Sequence, residues 1–141
     1  GMAFSNSMVG LVHALGHSLG ARCHLPHGLC MNLFLPTVLD YNRPQIDTEL
    51  ARLLLPLAGP ERFAATPQAL RPQAALDALC ALRDSLWQAV GLPRTLAEAG
   101  VTDRAVLKDI RDLAINDGAL LYNRKDADRT QLLGLLELAW E

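Results

Sequence analysis

Three observations predict an all-α fold for this chain. Apolar residues recur at three- and four-residue spacing from one end to the other, the period of a helix that buries one face. No convincing run of β-branched residues reads as a strand. Glycine and proline fall where the periodic stretches stop, as they do at helix ends.

The elements follow in order. A first helix is expected over about residues 6–19, closed by Gly20 as its C-terminal cap. A second runs from Pro26 or His27 to about Tyr41. Pro36 inside it should kink or split it, because proline removes a hydrogen bond and crowds the preceding turn. A short third helix is expected over about 47–55, and the proline-, alanine- and glycine-rich stretch 56–72 reads loosely as a connection. A fourth helix, about 69–90, carries Leu76, Leu79, Leu82, Leu86 and Val90 at core spacing and stops at Gly91. After the Leu92-Pro93 turn comes one helical turn near Leu96. Thr102 or Asp103 then caps a helix to about Asp117, with Val106, Ile110, Leu113 and Ala114 on one face. The charged run 123–129 reads as a solvated loop. A last helix, about 128–140, turns Leu132, Leu133, Leu136 and Ala139 inward, and Trp87 and Trp140 read as packing residues.

Length and charge narrow the function. At 141 residues the chain suits one domain with a real core, taken as 2–141 because Gly1 before Met2 resembles what a removed tag leaves behind. A formal net charge of −2 argues against nucleic acid or an anionic membrane as partner. No apolar run reaches the roughly 18 residues of a spanning helix. The three cysteines, Cys23, Cys30 and Cys80, form an odd set without framework spacing, which fits reduced thiols in a cytoplasm.

The four histidines all lie between His13 and His27. His13 and His17, four residues apart, share one face of a helix and can point at one centre. His27 stands between Pro26 and Gly28, which suits the first turn of a second helix. The unpaired N–H groups of a helix start favour neutral imidazole, the form that ligates metals. Spacing alone leaves two equal readings: a metal or catalytic cluster, or ordinary boundary histidines with one hydrogen bond each. His24, in the connection, is expected to face solvent. Asn6 lies two turns before His13 on the same face, where contact with the site and plain packing explain it equally. A zinc site from Cys23, His24, His27 and Cys30 is disfavoured, because the spacing is too tight to close a tetrahedron.

From Gly10 the chain reads G-x-x-H-x-x-x-H-x-x-G-A, then Pro26-His27-Gly28, Leu35-Pro36 and Tyr41-Asn42. This pattern resembles the second signature of the iron-containing (metal-dependent, group III) alcohol dehydrogenases. The segment from Gly91 to Val101 is similar to that family's G-I-P-x-x-L-x-x-x-G-V, and Ala114 to Asp117 with Asn123-Arg124 is similar to its late A-x-x-D…N-P-R, without the proline. The resemblance covers nearly the whole chain and implies the all-α C-terminal helical bundle of the dehydroquinate synthase-like fold. It implies His13 and His27 as metal ligands, and His17 as the non-ligand histidine beside the nicotinamide, both cofactor contact and proton relay. The implied cofactors are Fe2+ (or Zn2+) and NAD(P); the implied substrate is a small alcohol or its aldehyde or ketone.

The family's other two ligands, a D-x-x-x-H pair, have no counterpart in these 141 residues, since every aspartate lies beyond the last histidine. No G-x-G-x-x-G dinucleotide turn occurs either. The chain is therefore expected to be the helical metal-binding half alone, without the N-terminal nucleotide-binding domain, holding metal weakly and inactive by itself. Two alternatives stand beside this: a free-standing helical domain with no chemistry, and the helical half of a zinc-type glycerol dehydrogenase or dehydroquinate synthase-like enzyme. The first helix, apolar on more than one face through Met8, Val9, Leu11, Val12, Leu15 and Leu19, is expected to leave an exposed apolar surface. Together with 27–34 it would be covered in a homodimer.

Overall fold

The structure, a computed structural model, describes residues 2–140, with the side chains of Ala3, Phe4 and Asn6 outside the description. It contains helices α1 (Met2–Ser7), α2 (Leu11–Cys23), α3 (His27–Ala65), α4 (Arg71–Val90), α5 (Val106–Ala114) and α6 (Arg129–Leu138), with short 3-10 turns at Gln68–Leu70 and Gly118–Tyr122. No strand occurs among the described residues, as expected of an all-α chain. The residues group into two compact units. One joins the chain up to Val38 with the chain from Pro93 onward, and the other is Leu39–Leu92.

The first unit is built from four amphipathic stripes. Leu11, Ala14, Leu15 and Leu19 of α2 are fully buried, and Cys30, Leu33, Phe34 and Val38 continue the same spacing in the first part of α3. Val106, Leu107, Ile110 and Ala114 form the stripe of α5, and Leu132, Leu135, Leu136 and Ala139 extend that of α6. Packing of α2 on α5, and of α5 on α6, brings these stripes together. Each large aliphatic side chain buried here contributes roughly 1.5–3 kcal/mol relative to exposure. The expected stripes differ by one position each. Leu113 lies at the rim of its stripe and is exposed while Leu107 is buried, and Leu135 rather than Leu133 faces inward on α6. Trp140 is buried as expected, whereas Trp87 is 37% exposed.

The expected caps of this unit are met at α6 and not at α5, whose N-cap is Ala105 without a side-chain bond. Asp103 Oδ1 accepts the Ala105 N–H at 2.8 Å just before α5. Asp128 opens α6 with a reciprocal capping box, its carboxylate on the Gln131 N–H and the Gln131 amide oxygen on the Asp128 N–H. Near Leu96 the chain makes a turn rather than a helix, with Thr95 Oγ1 accepting the Glu98 N–H at 3.1 Å and the Glu98 carboxylate accepting the Arg94 N–H at 2.8 Å.

The first expected helix is two. Met8 takes a left-handed φ of 56°, so α1 ends before it and α2 begins at Leu11. Gly20 is not the cap; α2 continues to Cys23, and His24 closes it with φ 56°. The glycines serve packing instead. A Cβ on Gly16 would overlap the end of the Met31 side chain and stand 3.5 Å from the Cys30 carbonyl carbon, so α2 and α3 approach closely there.

The second unit holds the rest of α3, the Gln68–Leu70 turn and α4. The second and third expected helices and most of the expected connection are one element, α3, in which only Gly59 has non-helical angles (φ 84°, ψ 167°). Pro36 therefore does not split the helix. Buried neighbours on both sides, Phe34 and Val38, offset the hydrogen bond that proline deletes. Gly59 breaks the helix because the residue before a proline is driven from the α region, and only glycine tolerates this combination of angles. Arg43 ties α3 to α4 by donating to Gln73 Oε1 at 2.6 Å while paired with Asp47 at 3.1 Å. Leu50, Leu54, Pro72, Ala75 and Leu76 are buried. Further along α4 the same face is uncovered, and Leu82, Leu86 and Val90, expected in the core, are exposed. The helix ends at Gly91, as its sequence predicts.

Candidate active site

Two local features aim the histidines. Asn123 Oδ1 accepts the N–H of Leu11 at 3.2 Å, pinning the first turn of α2 and fixing the rotation of His13 and His17. The close approach at Gly16 sets α2 against the start of α3, where Pro26 precedes His27. The expected solvated loop around 123–129 thus carries a structural contact at Asn123, which also donates to the Lys125 carbonyl at 2.6 Å, besides the Asp128 cap and the buried Ala127.

The three site histidines converge. Ring centroids are 5.5 Å apart for His13 and His17, 5.5 Å for His13 and His27, and 5.6 Å for His17 and His27. Two imidazoles on one tetrahedral ion, with bonds of roughly 2.0–2.1 Å, place their centroids about 5 Å apart. The spacing of His13 and His27 therefore fits a two-nitrogen half of a metal shell. Among the described residues no group of three or more His, Cys, Asp or Glu is arranged to hold an ion, so a closed site would need donors beyond these.

Electrostatics favour the neutral form at the buried end of the cluster. Burial holds the His13 pKa below its ordinary value, positive charge on His17 or His27 lowers it further, and Asp117 partly opposes both. His17 and His27 are exposed, on the open side of the cluster. His17 is also held from behind: its Nδ1 lies 3.0 Å from Asp117 Oδ2. Asp117 in turn accepts the Ala119 N–H on Oδ1 at 2.7 Å, which fixes its side chain at the head of the Gly118–Tyr122 turn.

His24 stands exposed at the helix end, as expected, outside the ring contacts of the other three. Cys30 is buried with its thiol toward the Leu25 carbonyl at 3.7 Å, and burial raises the pKa of Cys23, Cys30 and Cys80 alike. Raised thiols make poor ligands and inert packing groups. The expectation on Asn6 lies outside the described side chains. Asp117 carried no role in the sequence beyond its place in the A-x-x-D match; that match was the signal, and only the fold places its carboxylate behind His17.

Residues 1–140 match the sequence profile of the Fe-containing alcohol dehydrogenase family, C-terminal. The chain belongs to this family. It is 33% identical over 141 residues to a probable alcohol dehydrogenase, EutG, of Escherichia coli K12, covering 99% of this chain and 32% of that protein. It is 28% identical over 148 residues to a 1,3-propanediol dehydrogenase of Klebsiella pneumoniae, covering 99% of this chain and 34% of the relative. Among solved structures, a 1,3-propanediol oxidoreductase superposes with a TM-score of 0.85 at 24% identity over 99% of this chain and 35% of its own, a likeness of fold. An alcohol dehydrogenase from Oenococcus oeni superposes with a TM-score of 0.79 at 26% identity, covering 99% and 34%. The chain thus spans about a third of the length of these family members.

Of the apolar residues expected to form a surface on the first helix, Met8 is 39% exposed and Val9 and Val12 are half-buried. Leu11, Leu15 and Leu19 are fully buried within the chain, as are Cys30, Leu33 and Phe34 of the adjoining segment. Those residues close the core of the first unit. No helix among the described residues is long and apolar enough to cross a membrane.

Proposed function

We propose that this chain is the helical, metal-binding half of a metal- and NAD(P)-dependent alcohol dehydrogenase, with His13 and His27 as two of its metal ligands and His17 as its proton-relay histidine. The observation that carries the reading is the convergence of these three rings, from two helices, at 5.5–5.6 Å. Family membership supports it, since relatives over the same residues include alcohol and diol dehydrogenases. When bound, Fe2+ or Zn2+ supplies Lewis acidity toward an alcohol oxygen, and NAD(P) supplies the hydride acceptor.

The chain's own residues do the rest. His13, whose pKa burial holds below the ordinary value, and His27, at the exposed start of α3, present imidazole donors, and ligation requires the neutral ring. His17, exposed on the open side, exchanges a proton between the reacting hydroxyl and solvent. The substrate is a small alcohol or the corresponding carbonyl compound, and the setting is the cytoplasm. These 141 residues hold no dinucleotide turn and no D-x-x-x-H pair, so this polypeptide by itself binds the ion weakly and does not turn over. Positioning of cofactor against substrate is worth roughly 7–11 kcal/mol of barrier, and that share is missing.

Competition with a chromogenic chelator for Zn2+ tests the ligands. The wild-type chain should withdraw some zinc, His13→Ala and His27→Ala should each abolish this, and His24→Ala should leave it intact. Loss on His24→Ala, or no loss on the other two, overturns the assignment. Alcohol-dependent reduction of NAD+ or NADP+ by the purified chain, with either metal added, overturns the half-enzyme reading.

A further inference from the structure

The hydrogen bond behind His17 fixes more than its position. An ionised carboxylate has acceptor oxygens only, so the proton in the 3.0 Å contact between His17 Nδ1 and Asp117 Oδ2 resides on Nδ1. A neutral imidazole carries one N–H and one lone pair, which leaves the lone pair on Nε2. Asp117 is well suited to impose this. Its other oxygen is anchored by the Ala119 N–H at 2.7 Å. Its aspartate neighbours spend their charge elsewhere, Asp109 on Arg22 and Asp112 on Arg111 and Arg129. The Asp117 side chain is also the less exposed of the pair, 21% against 43% for His17, which strengthens the contact.

We infer that Asp117 is a positioning residue that locks His17 in the Nδ1–H tautomer and in one ring orientation, so that Nε2 is the atom offered to the substrate. The inference rests on the proposed relay role of His17 for its purpose, though the tautomer stands without it. With a hydride acceptor bound, Nε2 would be the atom that accepts the hydroxyl proton of an alcohol. The imidazolium so formed keeps its Nδ1–H on Asp117, and Nε2 then yields its proton to solvent. In the reverse direction Nε2 would be the atom that returns a proton to the substrate oxygen. Without Asp117 the ring is free to present an Nε2–H, which cannot accept a proton.

Long-range 1H–15N correlation spectra of the labelled chain, at a pH where the imidazoles are neutral, read the tautomer of each histidine. His17 should show a protonated Nδ1 and a pyridine-like Nε2. Asp117→Asn retains an acceptor for the Ala119 N–H but turns an NH2 donor toward His17, and should invert the pattern. A charge-assisted hydrogen bond of this type shifts the tautomer ratio by about tenfold or more. A purely structural Asp117 would leave the tautomer unchanged in Asp117→Asn, and that result, or an Nε2–H in the wild type, refutes the inference. The wild-type spectrum decides alone if Asp117→Asn does not fold. Adding Zn2+ separates the two claims. Shifts at His13 and His27 support the metal reading, and their absence overturns that reading while leaving the His17 tautomer as measured.

Discussion

Replacing Gly16 with valine should damage the site from a distance, by separating the two helices that carry it. A Cβ at this position overlaps the terminal atoms of Met31 and stands 3.5 Å from the Cys30 carbonyl carbon. Alanine adds the Cβ alone. Its overlap is with the flexible end of a methionine, and it gains roughly 0.5–1 kcal/mol of helix propensity over glycine, so Gly16→Ala should be neutral to within about 1 kcal/mol. Valine adds two further carbons where α2 already touches α3, and overpacking of this kind costs roughly 1–3 kcal/mol. The propensity gain for valine is only about 0.4 kcal/mol, leaving a net loss of about 0.6–2.6 kcal/mol. Urea unfolding followed by far-UV circular dichroism measures it. A double-mutant cycle with Met31→Ala should recover part of the loss, with a coupling of about 0.5–3 kcal/mol. Zinc withdrawal should fall with Gly16→Val, because His27 moves relative to His13 and His17. If Gly16→Val is as stable as wild type and withdraws zinc equally, the close approach does not position the site.

Three further outcomes follow from individual contacts. Leu15→Ala, at a fully buried position of α2, should cost about 2–5 kcal/mol by the same denaturation assay. Asp128→Ala removes the capping box of α6 and should cost about 1 kcal/mol, while Asp128→Asn should cost less than half of that. Glu98 has its pKa held below the ordinary 4.5 by the Arg94 side chain first and by the Arg94 N–H second. A depressed carboxylate stabilises above its unfolded pKa and loses that contribution as pH falls through the folded value. Glu98→Gln should therefore be less stable than wild type by under about 1 kcal/mol near neutrality, with the gap closing below pH 4.5.

How much of this was legible in the sequence depends on whether the cause was local. Helix ends set by local signals were partly readable: Asp128 and Gly91 act where their residue types indicate, whereas Asp103 bonds the Ala105 N–H in the turn before α5, whose N-cap is Ala105 without a side-chain bond. The histidine convergence was half readable. The four-residue spacing puts His13 and His17 on one face, but the meeting with His27 depends on the approach at Gly16, which looks in sequence like any interior glycine. Pro36 does not split α3, since its local penalty is outweighed by the burial of Phe34 and Val38 around it. Leu82, Leu86 and Val90 misled because periodicity marks a face as apolar without saying where the cover stops. Asp117 could not be tied to His17 at all, since a hydrogen bond across 100 residues of chain leaves no local trace.

The most direct test of the central claim is a crystal of this chain soaked in Zn2+ and measured at the zinc absorption edge. The account predicts one anomalous peak within bonding distance of a nitrogen of His13 and a nitrogen of His27, roughly 2.0–2.1 Å from each. His24, Cys23 and Cys30 should remain uncoordinated, and His17 Nδ1 should still face Asp117. A peak on Cys23, His24 or Cys30, or full zinc occupancy at a site that leaves His13 and His27 apart, would contradict it.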